Sequence, residues 1–355
     1  MELQKKAYLQ ALVQRAMQLA SSHEVILLTS NKEKTNSQDD YTGYSVKSEF
    51  FSEDEEARIL NSLNKIGFSV HQFYNEEDFI AFVSEGQQKL SKKIVINSAQ
   101  KGTKIGRKSL IPAVCDLFGI SYVGSDPYVV SLCRDKYRCG CILAQNGIPV
   151  PDAWLYQPLG GWFHEPPATV GQLIVKPNYE AASIGIDALN ICNGSAMYEK
   201  VRQLEAIYHQ EILAQQFIAG YEVEIPVITF NNIPTVFFPV GINLDGNKKM
   251  GERILDYHLR DVDAYEYYDF SLENPQAAQE TLEVAVRTAQ ILNIKGFGRV
   301  DLRVSENGSV YVTDIATNPH YTARSSYEFL FSQLGFSYDD LIACLIAASI
   351  GEGKQ

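Results

Sequence analysis

The sequence predicts a mixed α/β protein of two or three domains, with an α+β arrangement in its C-terminal part. The chain has 355 residues, 45% of them hydrophobic, which is more than one core of ordinary size usually holds. Short buried strands alternate with amphipathic helices over about the first 125 residues, as in an open α/β domain. Beyond residue 222, apolar runs separated by turns favour an antiparallel sheet.

Hydrophobic periodicity predicts the N-terminal elements in order. Helical spacing predicts helices over 7–19 and 53–66, and short apolar runs predict buried strands at 25–28, 69–73 and 94–96. The polar segment 31–45 is interpreted as a long surface loop.

The rest of the chain shows helix starts, strands and one clear hairpin. Asp126 before Pro127 marks a helix start, and the helical pattern continues through Lys136 to Ala144. A strand at 173–177, a loop of small residues at 180–185, a helix at 195–208 and a strand at 212–217 follow. Alternating runs at 223–230 and 234–240 predict antiparallel strands. A helix at 275–292 leads into strands 298–304 and 309–314, which Glu306-Asn307-Gly308 joins as a hairpin.

Charge and composition limit the partners. The chain has 43 Asp and Glu against 31 Lys and Arg, so its charge of -12 argues against nucleic acid as a partner. No uninterrupted apolar run is long enough to span a membrane, so a membrane is not expected as a partner. Charges lie where a signal peptide would need its apolar centre, which predicts a cytoplasmic protein. The six cysteines form no zinc pattern and are interpreted as reduced thiols.

A basic segment at 101–109 comes close to a phosphate-binding loop. Its glycines, Gly102 and Gly106, follow a predicted strand, but the spacing is one residue short of the G-x-x-x-x-G-K-[ST] pattern, which counts against a P-loop. The segment still gathers four cations in an acidic protein, Lys101, Lys104, Arg107 and Lys108. Docking of an anionic substrate group and a solvated basic loop are both open interpretations.

A second group of residues fits nucleotide chemistry. Lys136 and Lys176 could neutralise phosphates, and the small-residue loop at 181–185 would let backbone N–H groups approach them. Asp301 and Asp314 lie on the two strands of the hairpin, and paired carboxylates hold the magnesium that bridges phosphates. Together these residues predict nucleotide-dependent phosphoryl transfer with ATP and Mg²⁺.

These residues also carry a family resemblance, which covers about residues 110 to 350. The matching motifs are GSDPYVVSLCRDKYRCGCILAQNGIPVPDAWLY, LIVKPNYEAASIGI, ILAQQFIAGYEVEIPVI, GFGRVDLRV and VYVTDIATNPHYTARSS. The chain resembles the ATP-grasp ligases, specifically those similar to D-alanine–D-alanine ligase. The resemblance implies three domains, with ATP between the central and C-terminal ones. We place them at 1–125 (substrate domain), 126–213 (central lid domain) and 214–355 (catalytic domain).

The resemblance implies a role for each matching residue. Arg299 resembles the arginine that stabilises the oxyanion formed when an amine attacks an acyl phosphate, and Ser325 resembles a substrate-contacting serine. Asp301 and Asp314 resemble two metal ligands. The residues that look like nucleotide contacts are Lys136, Lys176, Glu180, Ala182, Ser183, Gly185, Gln215, Phe217, Ile218 and Glu222, with Gln215 standing where the family usually has Glu.

The chain departs from the family pattern at two places in the last motif. The third metal ligand of the family is replaced by Ala316, and Asn318 is the candidate substitute, with a cap of the local turn as the alternative role. His320 stands where the family has Gly, and it is a candidate general base, with packing of the imidazole as the alternative.

The resemblance fades where dipeptide ligases bind their first amino acid. The strand at 25–28 lacks the glycine-rich turn after it, and the nearby acids Glu33, Asp39 and Asp40 lie in a loop of a different kind. We therefore expect no acid in the position that holds a substrate ammonium, and an anionic first substrate in place of D-alanine.

Together these expectations predict one function and leave several alternatives. The chain is predicted to be an ADP-forming carbon–nitrogen ligase that phosphorylates a carboxylate or carbonyl oxygen and joins it to an amino-acid amine. Ligases that join amino acids to mycosporine-glycine are one compatible kind. The alternatives are a degenerate, non-catalytic ATP-binding protein, a true D-alanine–D-alanine ligase with an unusual N-terminal site, and, more remotely, a P-loop nucleotidase. The substrates are small molecules, and the oligomeric state stays open, with a homodimer as one option.

Overall fold

The structure, a computed structural model, describes residues 2–35, 41, 43–86, 90–262 and 264–351. Its described strands form three sheets, each built from a different stretch of the chain. The helices around them are α1 (Glu2–Ala20), α2 (Glu53–Ile66), α3 (Glu76–Ser84), α4 (Leu110–Phe118), α5 (Pro127–Arg134), α6 (Lys136–Gln145), α7 (Gly194–Tyr208), α8 (Tyr257–Asp261), α9 (Pro275–Ile291), α10 (Ser326–Gln333) and α11 (Tyr338–Ser349).

The first sheet is parallel and confirms the predicted α/β start of the chain. Its strands are β1 (Glu24–Leu28), β2 (Val70–Phe73), β3 (Lys93–Asn97) and β4 (Ser121–Tyr122), in the order β2-β1-β3-β4. The apolar runs of β1 and β3 are buried, because helices cover both faces of such a sheet. The loops after β1 and β3 leave from the same edge of the sheet, which brings Lys32 and Ser98 to one cavity.

The second sheet is antiparallel and lies in the middle of the chain. Its strands are β5 (Ala153–Gln157), β6 (Gly161–Trp162), β7 (Leu173–Pro177), β8 (Ile191–Cys192) and β9 (Ile212–Gln216), in the order β6-β5-β9-β7-β8. Helix α7 packs on β7 and β9 through Met197, Val201 and Leu204. The prominent chemical feature of this sheet is Lys176, near the end of β7.

The third sheet contains the predicted hairpin. Its strands are β10 (Gly220–Phe230), β11 (Ile233–Thr235), β12 (Val240–Leu244), β13 (Tyr265–Asp269), β14 (Gly296–Ser305) and β15 (Val310–Ala316), in the order β13-β12-β10-β14-β15, with β11 paired to β10. Asp301 of β14 lies opposite Asp314 of β15, with a register shift just after it. Directly opposed residues share one face of a sheet, so both carboxylates leave on the same side.

One hydrophobic core joins the two ends of the chain. Helix α11 packs against α1 and α2, so that Leu9, Leu63 and Leu341 belong to one buried cluster. The domain boundaries at 125 and 213 stay predictions, and β9 runs across the second of them.

Two predicted elements were wrong in detail. The helix expected over 126–144 is two helices, because Asp135 leaves the helical conformation and its side chain accepts a hydrogen bond from the Arg138 N–H as a new N-cap. The apolar run at 234–240 is not one strand, since β11 ends at Thr235 and β12 begins at Val240.

Within the described ranges, no single helix has the length and apolar character needed to cross a membrane. The pair α10 and α11 meets that test only when the two are counted together, and they are bent by 111°.

Candidate functional site

The candidate site consists of two adjoining cavities. The first cavity lies between the second and third sheets. Of the residues predicted to contact nucleotide or metal, Gly185 lies beside this cavity in the loop at its edge, and the others line it: Lys136, Lys176, Glu180, Ala182, Ser183, Gln215, Phe217, Ile218, Glu222, Asp301, Asp314 and Asn318. The second cavity contains the other two predicted site residues, His320 and Ser325. Arg299 and Asn318 line both cavities, so the structure brings the whole predicted set to one place.

Two lysines face one carboxylate in the first cavity. Lys136 is the first residue of α6, and its Nζ lies 3.1 Å from Asp314 Oδ2. Burial, reinforced by the nearby Lys136 charge, lowers the pKa of Lys176 to about 8 although Asp314 and other acids oppose the shift. Burial would raise the pKa of Asp314, but the two lysines outweigh it and hold that pKa below its usual range. The lysines are therefore cations concentrated where phosphate oxygens could replace Asp314 as a partner.

Arg299 is fixed by two acids, Asp301 of its own strand β14 and Glu224 of the neighbouring strand β10. Its Nε and Nη2 donate to the two oxygens of Asp301 at 2.6 and 2.7 Å, and its Nη1 lies 3.2 Å from Glu224. Burial raises the pKa of the Asp301 carboxyl despite Arg299. Such a bidentate pair holds the guanidinium in one orientation at the boundary of the two cavities.

The acids present fit a magnesium ion that is bound mainly through phosphate. Asp301 and Asp314 offer carboxylate oxygens on one face of the hairpin, and Mg²⁺ in nucleotide sites commonly takes one or two carboxylates together with phosphate oxygens and water. Asn318 donates its Nδ2 to the Asn97 carbonyl at 3.1 Å, which leaves its Oδ1 as a further acceptor beside the first cavity. The alanine at 316 lines both cavities and offers no ligand atom.

The loop at 180–185 has a strained backbone that its contacts hold in place. Ala182 and Ser183 both have positive φ, at 52° and 56°, and Ser183 Oγ donates to the Leu255 carbonyl at 2.9 Å. At Gly185, with φ of 78°, a Cβ would lie 2.7 Å from a ring carbon of Pro177, so glycine is needed there. The loop is therefore set in one conformation at the edge of the first cavity.

Glu180 anchors this loop, and its carboxylate does not point to open space. Its oxygens accept from Arg107 Nη2 at 2.8 Å, Gln210 Nε2 at 2.8 Å and Tyr41 Oη at 3.0 Å. Its side chain is 1% exposed. Burial would raise the Glu180 pKa, but Arg107 outweighs it and keeps the acid ionised. A nucleotide contact by Glu180 stays a prediction, and in this structure its carboxylate is bonded to Arg107.

The basic segment 101–109 is neither a P-loop nor, at its end, a solvated loop. It forms turns between β3 and α4, and Lys101 pairs with Glu77 at the surface. Arg107 and Lys108 are paired with Glu49, at 3.0 and 2.6 Å, and Arg134 of α5 reaches the same carboxylate at 2.8 Å. We call Glu49, Arg107, Lys108, Arg134 and Glu180 the ion cluster. Arg107 and Lys108 therefore neutralise buried acids, and docking of an anionic substrate group on this segment stays a prediction.

One end of the first cavity is apolar, and contacts from Arg303 hold it in place. Phe217 and Ile218 follow β9, and the Arg303 guanidinium lies 5.1 Å from the centre of the Phe217 ring. Arg303 in turn donates to the Ile218 carbonyl at 2.9 Å and to Glu222 at 3.2 Å. Glu222, predicted to bind ribose hydroxyls, lines the cavity with one oxygen already bonded to Arg303.

In the second cavity, His320 and Ser325 have partners that the sequence did not suggest. His320 Nε2 lies 3.3 Å from Glu55 Oε1, and the imidazole packs 5.4 Å from the Phe51 ring. Thr322 Oγ1 donates to the same Glu55 oxygen at 2.5 Å. Ser325 caps α10 by accepting from the Glu328 N–H at 3.1 Å. The packing and hydrogen bonding of His320 fit the structural alternative, and its cavity position keeps a chemical role open.

The absence of an acid at the first-substrate position stays a prediction, but the second cavity contains two acids that were not among the candidates. Both Glu49 and Glu55 line the second cavity, although each is bonded to protein groups. Glu33 lies outside the lining of this cavity and accepts from the Glu53 N–H, and Asp39 and Asp40 fall outside the described residues. Arg260, which lines both cavities, was also missed. Only Glu55 had a sequence signal, since Ser52-x-x-Glu55 is a capping box before a helix.

Comparison with known proteins agrees with this site. A family model described as D-ala D-ala ligase C-terminus matches residues 161–347, which is more than half of the chain. The D-alanine–D-alanine ligase of Neisseria gonorrhoeae (strain NCCP11945) is 29% identical over 315 residues, which cover 87% of this chain and 96% of that protein. The ligase of the same name from Azoarcus sp. (strain BH72) is 25% identical over 296 residues, 82% of this chain and 90% of the relative.

Solved structures show the same fold. A D-alanine–D-alanine ligase from Bacillus anthracis complexed with ATP superposes with a TM-score of 0.68 at 18% identity, covering 92% of this chain and 97% of that one. The VanG D-Ala:D-Ser ligase from Enterococcus faecalis gives 0.64 at 17% identity, covering 93% and 100%. Fold and site thus define an ATP-grasp carbon–nitrogen ligase of the ADP-forming class. Within that class, the chain belongs to the D-alanine–D-alanine ligase family.

Proposed function

We propose that this ligase phosphorylates a carboxylate or carbonyl oxygen of a small anionic substrate with Mg-ATP and then joins it to an amino-acid amine. The observation that carries the proposal is the meeting of the two cavities at Arg299. The first cavity supplies the cations and acids that a magnesium nucleotide requires, and the second has room for the two substrates beside them.

The steps of the proposed reaction follow from this arrangement. In the carboxylate form, a substrate oxygen in the second cavity takes the γ-phosphoryl group, and ADP leaves with Lys136 and Lys176 neutralising its phosphates. The amine then attacks the acyl phosphate carbon, which forms the C–N bond, and the oxyanion develops beside Arg299. The bond from carbon to the phosphorylated oxygen then breaks, and inorganic phosphate leaves. Phosphorylation converts a poor leaving oxygen into a good one, and one proton is released from the amine.

The charge of the second cavity supports an anionic substrate. Two acids, Glu49 and Glu55, face a larger set of cations along its wall, Lys32, Lys108, Arg260, Arg299 and Arg324. Lys108 is paired with Glu49, and Arg299 is paired with acids outside this wall, so the support for an anion is the excess of cations over carboxylates along the wall as a whole. A narrower form of the proposal is the ligation of an amino acid to mycosporine-glycine, in which the phosphorylated oxygen is a carbonyl.

A second candidate is ligation of D-alanine to D-alanine. The presence of Glu49 and Glu55 in the second cavity favours it, because either could pair with an ammonium if its present partner moved. The relatives that carry that name favour it as well.

Release of ADP by the purified chain separates these functions. We expect release when Mg-ATP is supplied with an amino acid and an anionic carboxylate or carbonyl compound, and little with D-alanine alone. Lys176→Ala should lower turnover by a factor on the order of 10² or more while the chain stays folded. Robust D-alanyl-D-alanine formation would refute the anionic substrate, and unchanged ADP release by Lys176→Ala would refute the nucleotide assignment of the first cavity.

A further inference from the structure

One buried polar side chain at the apolar end of the first cavity has no partner. Gln215, on β9, is 7% exposed and lines the first cavity together with Ile174, Phe217 and Ile218. In the described part of the chain, its side-chain amide makes no hydrogen bond. A buried amide ordinarily has a hydrogen-bond partner. The side chain is therefore open to a ligand group in the cavity.

Part of the backbone around Gln215 is already occupied. The Gln216 N–H donates to the Asp152 carbonyl at 2.7 Å, and the Phe217 N–H donates to the Gln172 carbonyl at 2.9 Å. The Ile218 carbonyl accepts from Arg303 Nε at 2.9 Å. These three groups are directed into the protein, whereas the Gln215 side chain lines the cavity, as does Gln216.

The rest of this end suits a planar aromatic ring. Phe217 is held in place by Arg303, and Ile174, Ile218 and Leu255 complete an apolar slot. The charged residues, including Lys176 and Asp314, also line the cavity, as the phosphates of a nucleotide would require. Resting on the proposed function, this places the base of a nucleoside triphosphate beside Gln215.

We propose that Gln215 reads the 6-position of the purine and makes this site accept GTP as well as ATP. A carboxamide has both an acceptor oxygen and two N–H donors, and it can present either by turning over. Its Oε1 accepts from the 6-amino group of adenine, and its Nε2 donates to the 6-keto oxygen of guanine. A carboxylate at the same position would be acceptor-only and would repel the keto oxygen.

Binding of nucleoside diphosphates tests this inference without knowledge of the other substrates. The affinities of Mg-ADP and Mg-GDP for the full chain are measured by calorimetry, for the wild type and for Gln215→Glu. The wild type should bind the two within about tenfold of each other. The variant should raise the preference for ADP by about tenfold or more, which is the size of one lost or repulsive hydrogen bond. The exposed Gln172→Glu variant introduces the same charge nearby and should leave the ADP/GDP ratio unchanged.

Each outcome is decisive. A wild type that prefers ADP by much more than tenfold, or a Gln215→Glu variant with an unchanged ratio, overturns the role of Gln215. An equal change of ratio in Gln172→Glu also overturns it, because the effect would then be general electrostatics. Failure of the wild type to bind either nucleotide overturns the proposed function itself.

Discussion

Replacing Arg107 with methionine should destabilise the protein, although Arg107 lies in a loop. The side chains of Arg107, Glu49 and Glu180 are 1%, 3% and 1% exposed, and Arg107 also donates to Gln100 at 3.0 Å and to the Thr103 carbonyl at 3.2 Å. Removing one partner of a buried ion pair typically costs about 3–5 kcal/mol, because it leaves a buried charge uncompensated.

The remaining members of the ion cluster determine where in that range the loss of stability should fall. Glu49 keeps Arg134 and Lys108, so its charge stays neutralised. Glu180 keeps only Arg134 at 3.9 Å, together with the hydrogen bonds from Gln210 and Tyr41. The loss is therefore concentrated on Glu180 and should fall near the lower limit, at about 3 kcal/mol. With an unfolding entropy of about 2.1 cal/mol/K per residue, that loss lowers the Tm of a single cooperative unit of this length by about 4 °C.

Thermal unfolding followed by circular dichroism measures this effect. Arg253→Met is the matched control, since Arg253 pairs with Asp245 at 2.7 Å in a site where both side chains are exposed. Exposed pairs contribute about 0–1 kcal/mol, so the control should shift Tm by about 1 °C or less. Adding Glu180→Gln to Arg107→Met should recover part of the loss by removing the unpaired charge. The reasoning is refuted if Arg107→Met has the same Tm as the control variant, or if the double variant has a lower Tm than Arg107→Met.

Three further predictions concern the cavities. Because the pKa of Lys176 is about 8, the affinity for ADP should fall by up to about tenfold between pH 7 and pH 9, and Lys176→Arg should flatten that profile; an equal fall in the variant would exclude Lys176 as the cause. Asn318→Ala should raise the half-saturating Mg²⁺ concentration for ADP release by roughly tenfold if Asn318 is a ligand, and an unchanged titration would leave the site with two protein ligands. Burial would raise the pKa of Glu55, but bonds from His320 and Thr322 hold it at about 2. The stabilisation that ionised Glu55 gives the fold is therefore complete above the ordinary Glu pKa and is lost as pH falls towards 2. The free energy of unfolding of Glu55→Gln should then depend less on pH, between pH 5 and pH 2, than that of the wild type.

Local sequence patterns predicted the elements that carry most of the site. The apolar run ending at Lys176 and the Asn307-Gly308 turn between two alternating runs are short-range signals, and the structure has β7, β14 and β15 there. The break at Asp135 also had a local signal, because Asp is a preferred N-cap, but the continuous helical pattern concealed it.

Long-range charge pairing could not be predicted in the same way. Arg107 pairs with Glu49, 58 positions before it, and with Glu180, 73 positions after it. A run of cations such as 101–108 gives no sign of which members will be buried, since burial depends on the acids that the fold brings to them. For the same reason, the acids of the second cavity were sought near 33–40, whereas Glu49 and Glu55 reach it through the segment before α2 and the start of that helix.

The ion cluster also links the two cavities electrostatically. Lys108 lines both cavities, and its Nζ lies 2.6 Å from Glu49, which lines the second. Glu49 shares Arg107 with Glu180, which anchors the strained loop at the edge of the first cavity. Buried charges interact strongly because little water screens them. A chain of buried ion pairs therefore runs from Lys108 and Glu49 through Arg107 to Glu180, at the start of the loop at 180–185.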